Sequence, residues 1–248
     1  MSKVAKPPIN VLLAHPTNMW SRWAKVNGVS TFIDFKNIVL HYVGAVSTAK
    51  NNADYLHRDA NLGWSAHFFV DEHEIWQSVD FDHAAGHCGV DYSNGRAPFQ
   101  EENVNKKSIG IEMCCKKDAH GNWYIEPETV TRTVALVRWL MQEFRIPIER
   151  VVRHYDVCWK TCPEPWVRYP EQWQAFKKRL TEEEEEEMVR FKTIDDVPKT
   201  LRPETEKLMK RGALKGKGGD AGLDVTEDML RTMIVCQRMV DEDKEEQK

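Results

Sequence analysis

Apolar and polar positions follow one rhythm in the first half of the chain and another from residue 127 onward. Three apolar runs, "NIVLHYVG" (37–44), "AHFFVDEHEIWQSV" (66–79) and "SIGIEMCC" (108–115), have the length and composition of strands, and the second folds back at Asp71–Glu74 as a hairpin. From Pro127 the spacing changes. Val130, Val134, Val137, Met141 and Phe144 recur at steps of four, three, four and three, which is the stripe of a helix lying on a sheet, and Pro147 is its expected stop. Shorter helices are expected over 48–59 and over 170–180, where Trp173, Phe176 and Leu180 share a face. Strands interleaved with helices predict an α/β layer fold.

The apolar pattern ends at a run of acids, Glu182 to Glu187, read as a linker or helix extension. This divides the chain into a domain over 1–180, a connecting stretch over 181–190 and a small helical domain over 191–248. The last part predicts two short helices, one ended by Gly212 and one capped by Thr226 with acids in its first turn, joined by a Gly-rich loop. A unit of this size has a marginal core of its own. By itself such a unit suggests a homodimer contact or a stabilising appendage, while the faint resemblance of "TIDDVPKTLRPETEKLMKRGALKG" to a single S-layer-homology-like unit implies attachment to a cell wall.

Composition narrows the function classes. The 248 residues carry 35 basic and 39 acidic side chains, a formal charge of −4, so no basic excess draws the chain to nucleic acid. The opening "MSKVAKPPINVLL" lacks the apolar run of an export signal, and no segment is long and apolar enough to span a membrane, so synthesis and retention in the cytoplasm are expected. Six cysteines in such a setting are expected to be reduced thiols.

Chemistry concentrates in "VVRHYDVCWKTCPEPW" (151–166), where His154, Lys160 and Cys162 crowd together ahead of a proline-rich turn. A zinc hydrolase needs three protein ligands and one open position, and His154 and Cys162 can supply two of the three. His41, near the end of an apolar strand that otherwise disfavours it, is the candidate third. In "SIGIEMCC", Ile109, Ile111 and Met113 point one way, so Glu112 lies on the opposite face with Gly110 and Cys114.

Taken in order, "VLHYVG", "SAHFFVDEHEIWQSVDFDHAAGHCG", "NKKSIGIEMC" and "RHYDVCWKTCPEP" resemble the zinc-dependent N-acetylmuramoyl-L-alanine amidases of the type-2 group, which includes phage endolysins and peptidoglycan-recognition proteins; the resemblance covers roughly residues 30 to 170. It implies a central mixed β-sheet flanked by helices, Zn2+ held by His41, His154 and Cys162, and bacterial peptidoglycan as partner. Hydrolysis of the amide between N-acetylmuramic acid and the L-alanine of the stem peptide is the implied reaction, carried out on the wall after release. Glu112 is implied as base and proton shuttle, Lys160 as oxyanion stabiliser, and His87 as a residue lining the substrate groove. His67 is read as a core residue. Some branches of the family carry a tyrosine on the second strand where this chain has Ala66, which leaves the base role to Glu112. Two rivals are a non-catalytic peptidoglycan-binding module, against which Cys162 speaks, and a glycosidase, which needs a second carboxylate near Glu112.

Overall fold

The computed structural model describes residues 4–89, 97–101, 104–182, 190–214, 223 and 225–246. It divides into two compact units, Met1–Glu182 and Glu183–Lys248. In chain order the first unit opens with β1 (Asn10–Val11), β2 (Met19–Ser21), β3 (Trp23–Val26), β4 (Val29–Phe32), β5 (Asn37–Tyr42) and α1 (Ala49–Arg58). Next come β6 (Phe68–Val70), β7 (Ile75–Gln77), β8 (His83–Ala85), α2 (Val104–Lys107), β9 (Ser108–Met113), β10 (Lys116–Lys117) and β11 (Trp123–Tyr124). The unit closes with α3 (Pro127–Phe144), β12 (Val151–Arg153), α4 (His154–Cys158), α5 (Glu164–Arg168) and α6 (Pro170–Thr181).

Six of these strands form one mixed sheet in the order β1-β7-β6-β9-β5-β12. Strands β6, β9, β5 and β12 run parallel, while β7 returns antiparallel beside β6. That return is the expected hairpin. Its turn is held by Asp71, whose Oδ1 accepts from the backbone N–H groups of His73 and Glu74, while its Oδ2 accepts from Ala49 N–H at the start of α1. Alternation along the strands then separates two faces. Ile38, Leu40, Ile109, Ile111 and Met113 pack in the main core with Val134, Val137 and Leu140 of α3, all fully or almost fully buried. Val39, His41, Gly110 and Glu112 are left for the opposite face. There Ala49, Ala53 and Leu56 of α1 pack with Phe69, and Val39 packs with Cys88, Val104, Val152 and Val157.

The helix predicted from residue 127 spans Pro127–Phe144, and it ends just before Pro147: Arg145 adopts the left-handed conformation (φ 52°) and its N–H closes on the Gln142 and Met141 carbonyls. The hairpin β3–β4 was not anticipated from the apolar runs. Its signal is Asn27-Gly28, both at positive φ (50° and 82°), the pair that a tight two-residue β-turn requires.

In the second unit β13 (Arg190–Phe191) pairs antiparallel with β14 (Val225–Thr226), and α7 (Arg202–Lys210) and α8 (Glu227–Glu246) pack around Phe191, Val197, Leu208, Leu230 and Ile234. Gly212 follows α7 at φ 71°, and Thr226 Oγ1 accepts from Met229 N–H at the start of α8. At 20 residues α8 is longer than the short helix expected. The acidic run over 183–187 and the Gly-rich loop over 215–222 lie outside the described residues. All six cysteines are free thiols, five of them buried. No helix among the described residues is long and apolar enough to cross a membrane.

Candidate metal centre

Three neighbouring parallel strands bring the site together at their C-terminal ends, the side on which open α/β sheets place their ligands. In register, His41 of β5 stands opposite Glu112 of β9, and Arg153 of β12 stands opposite Leu40, so His154 emerges beside His41 on its other flank. The rings of His41 and His154 are 4.6 Å apart. Cys162 reaches them through a tight reversal: α4 ends at Trp159, which takes the left-handed conformation (φ 63°), and the Tyr155 N–H then donates to the Cys162 carbonyl over 2.9 Å. The loop therefore returns to the start of the helix it left.

One ligating atom from each of His41, His154 and Cys162 lies within 4.8 Å of the others, and all three residues are buried. Hydrogen bonds show which ring nitrogens face the cluster. His154 Nε2 lies 3.3 Å from the Gly89 carbonyl, an acceptor, so Nε2 carries the proton and Nδ1 keeps its lone pair; that Nδ1 is buried without a hydrogen-bond partner. A buried, unpaired acceptor is costly unless something else occupies its direction. His41 Nδ1 stands 3.7 Å from Cys162 Sγ. A tetrahedral zinc ion with ordinary bond lengths holds a nitrogen and a sulfur ligand about 3.6 Å apart, so this spacing fits the ion.

Electrostatics favours the same donor set. Burial, reinforced by the neighbouring His154, His87 and Lys160, holds His41 well below its ordinary pKa, and burial lowers His154 to about 4, so both rings are neutral donors near neutrality. Burial pushes the Cys162 thiol up, with the Glu112 charge adding to the effect and a Tyr42 backbone hydrogen bond and Lys160 opposing it. Two neutral imidazoles and one thiol that needs a cation to ionise form a set that a divalent ion completes.

Glu112 borders this cluster, with Oε1 3.9 Å from His41 Nδ1 and Oε2 buried without a hydrogen-bond partner. Burial raises its carboxyl to about 8, against the pull of Lys160. Lys160 is exposed, two residues ahead of Cys162, and its charge is felt by His41, Glu112, His154 and Cys162. His87, expected to line a groove, stands beside His41, with its Nδ1 2.9 Å from His41 Nε2. Only 8% of it is exposed, and its ring nitrogens face His41, Cys88 and Ser108. His67 is fully buried, with Nδ1 accepting from Gly110 N–H, and Ala66 is fully buried as well.

A family model described as N-acetylmuramoyl-L-alanine amidase matches residues 32–165, more than half of the chain and the whole stretch from β5 to Cys162. The chain belongs to this amidase family. Among curated relatives, a probable N-acetylmuramoyl-L-alanine amidase of Bacillus licheniformis is 36% identical over 150 residues, 58% of this chain and 41% of that protein. The amidase BlyA of Bacillus subtilis is 33% identical over 174 residues, 66% of this chain and 45% of that protein. The chain thus matches less than half the length of these two relatives. The amidase fold is also that of solved structures: the match to PlyL, at 23% identity and a TM-score of 0.54, covers 71% of this chain and 98% of PlyL. That to the catalytic domain of XlyA, at 24% identity and a TM-score of 0.53, covers 70% of this chain and 99% of that domain.

Proposed function

We propose that this chain is a zinc-dependent peptidoglycan hydrolase that cleaves the amide between the lactyl group of N-acetylmuramic acid and the L-alanine of the stem peptide, in the manner of an endolysin. The observation that carries the reading is the convergence of one ligating atom each from His41, His154 and Cys162 beside a buried carboxylate, at the ends of three adjacent strands. His41, His154 and Cys162 hold the ion, which when bound supplies Lewis acidity toward the scissile amide and the attacking water.

The remaining chemistry belongs to side chains. Glu112 in its carboxylate form takes the proton of the attacking water and, then protonated, gives it to the departing amine of L-alanine; burial, which raises its pKa to about 8, makes the carboxylate a better base for the first transfer. Lys160, exposed two residues before Cys162, places its ammonium toward the negative charge that grows on the amide oxygen. His87 acts on His41 and leaves the substrate to other groups. The second unit serves as a wall anchor or a dimer contact. Mass spectrometry of digested peptidoglycan tests the proposal: free stem peptides with an N-terminal L-alanine and intact glycan strands are expected. New reducing ends on the glycan, with the amide intact, would exclude it in favour of a glycosidase.

A further inference from the structure

His41 offers two nitrogens to two different clusters. Its Nδ1 faces His154 and Cys162, and its Nε2 faces a second buried trio, His41, His87 and Cys88, whose ligating atoms also lie within 4.8 Å of one another. A neutral imidazole has one lone pair, so it serves one of the two. The structure contains what decides between them, and the starting point is a backbone carbonyl.

Ser108, fully buried at the start of β9, donates its hydroxyl proton to the Val104 carbonyl over 2.6 Å. A carbonyl only accepts, and a hydroxyl has one proton, so Ser108 Oγ faces its other neighbour as an acceptor. That neighbour is His87 Nε2 at 3.1 Å, which therefore carries a proton. The other nitrogen of the neutral His87 ring, Nδ1, is then the acceptor, and it lies 2.9 Å from His41 Nε2. His41 in turn is protonated at Nε2, and its lone pair sits on Nδ1. The 2.9 Å separation agrees with a hydrogen bond and is too short for two ligands of one tetrahedral ion, which stand about 3.3 Å apart. Cys88 Sγ, 3.2 Å from His87 Nδ1, is a second neighbour of that nitrogen.

The ring of His87 is held for this task. Asn105 Oδ1 accepts from the backbone N–H groups of both His87 and Cys88, at 3.0 and 2.7 Å. Gly110, in the middle of β9, leaves the space the ring fills: a Cβ there would meet the His87 ring at 2.5 Å. A glycine inside a strand weakens it, and close approach of another group is what offsets that loss.

We infer that Ser108 and His87 are positioning residues that fix His41 as its Nε2–H tautomer, so that the Val104 carbonyl, acting through two side chains, selects the His41–His154–Cys162 cluster over the His41–His87–Cys88 cluster as the metal site. The inference rests on the metal reading proposed above, but the proton position on His41 is measurable without any ion. Supporting groups of this kind typically change metal affinity about 10- to 100-fold.

The test is a long-range 1H–15N correlation spectrum of the imidazoles in the full-length, metal-stripped chain, together with zinc affinities from chelator competition. The expected spectrum shows His41 protonated at Nε2. His87→Leu is expected to weaken zinc binding ~10- to 100-fold. His87→Asn, whose side-chain oxygen can take the place of Nδ1 and accept the same hydrogen bond, should recover most of that loss, and Cys88→Ala should change neither readout. Ser108→Ala, which removes the acceptor of His87 Nε2–H together with the donor to the Val104 carbonyl, should let the Nδ1–H tautomer of His41 appear even where His87→Leu fails to fold. A wild-type chain with His41 protonated at Nδ1 would overturn the inference, and so would His87→Leu with wild-type zinc affinity or a zinc site lost in Cys88→Ala but kept in Cys162→Ser. Equal zinc uptake by wild type and Cys162→Ser, with Cys88→Ala unchanged, would remove the metal reading alone, and the tautomer spectrum would still decide the proton relay.

Discussion

His41 and Glu112 are register partners on adjacent parallel strands, and the carboxylate Oε1 stands 3.9 Å from the histidine Nδ1. A candidate ligand and a candidate base are thus held by the same ladder of backbone hydrogen bonds, with no loop between them. Strand pairing of this kind keeps side-chain positions tighter than a loop does. The consequences can be measured one residue at a time.

The purified chain is expected to carry about one zinc per molecule, and Cys162→Ser or His154→Ala to lose most of it, because a three-ligand site has little to spare. Elemental analysis of protein dialysed at neutral pH gives the answer. A fully loaded Cys162→Ser protein would remove that residue from the ligand set.

Glu112→Gln should keep the fold and the zinc while lowering turnover by at least ~10²-fold, since an amide cannot accept the proton. Lys160→Ala should also retain metal and lose ~10²-fold in kcat if its ammonium opposes the oxyanion charge. Steady-state rates on a soluble muropeptide, measured beside zinc content, separate these effects from metal loss. Near-native turnover in Glu112→Gln would move the base elsewhere.

Acid should destabilise the fold partly through His67. Its pKa is lowered to about 3, chiefly by burial, so the unfolded chain takes up the proton at pH values where the folded chain does not. The group adds no penalty above its unfolded pKa of about 6.5; as pH falls from there to about 3, stability drops by about 1.4 kcal/mol per unit. His67→Asn, which can still accept from Gly110 N–H, should show a shallower acid limb in urea titrations at a series of pH values. An unchanged slope would mean that the ring is protonated in the fold.

A chain ending at Glu182 retains every residue assigned to metal or proton transfer. It should cleave soluble muropeptides at close to the full-length rate and lose activity on intact walls, because tethering raises the local concentration of an enzyme at its substrate. Comparing both substrates with both chains checks the two halves together. Equal losses on both would assign the second unit to stability or dimerisation.

Much of the site's framework was legible because periodicity and strand length follow directly from burial. The stripe from Val130 to Phe144 lies on the sheet as its spacing requires, and the alternation around Glu112 separates it from Ile111 and Met113. Other features left weaker traces. Strand β12 has three residues, too few for any period to show, and the tight turn at Asn27-Gly28 was the only strong mark of the β3–β4 hairpin. The partners of His87 in "AAGHCG" left little trace, since its placement depends on a ring, a serine and a missing Cβ that meet only after the sheet forms. An interior glycine at 110 was the one hint that something approaches that strand closely.

The parallel arrangement of β9, β5 and β12 also has a kinetic consequence. Residues 41, 112 and 154 are far apart in the chain, and each neighbouring pair of strands closes a long loop before any pairing energy is recovered. Until β12 pairs with β5, a partly folded chain therefore holds only the local ligand pair, His154 and Cys162, near one another. Tight metal capture should accordingly lag behind formation of α3 during refolding, and it would report the moment at which β12 finds its register on β5.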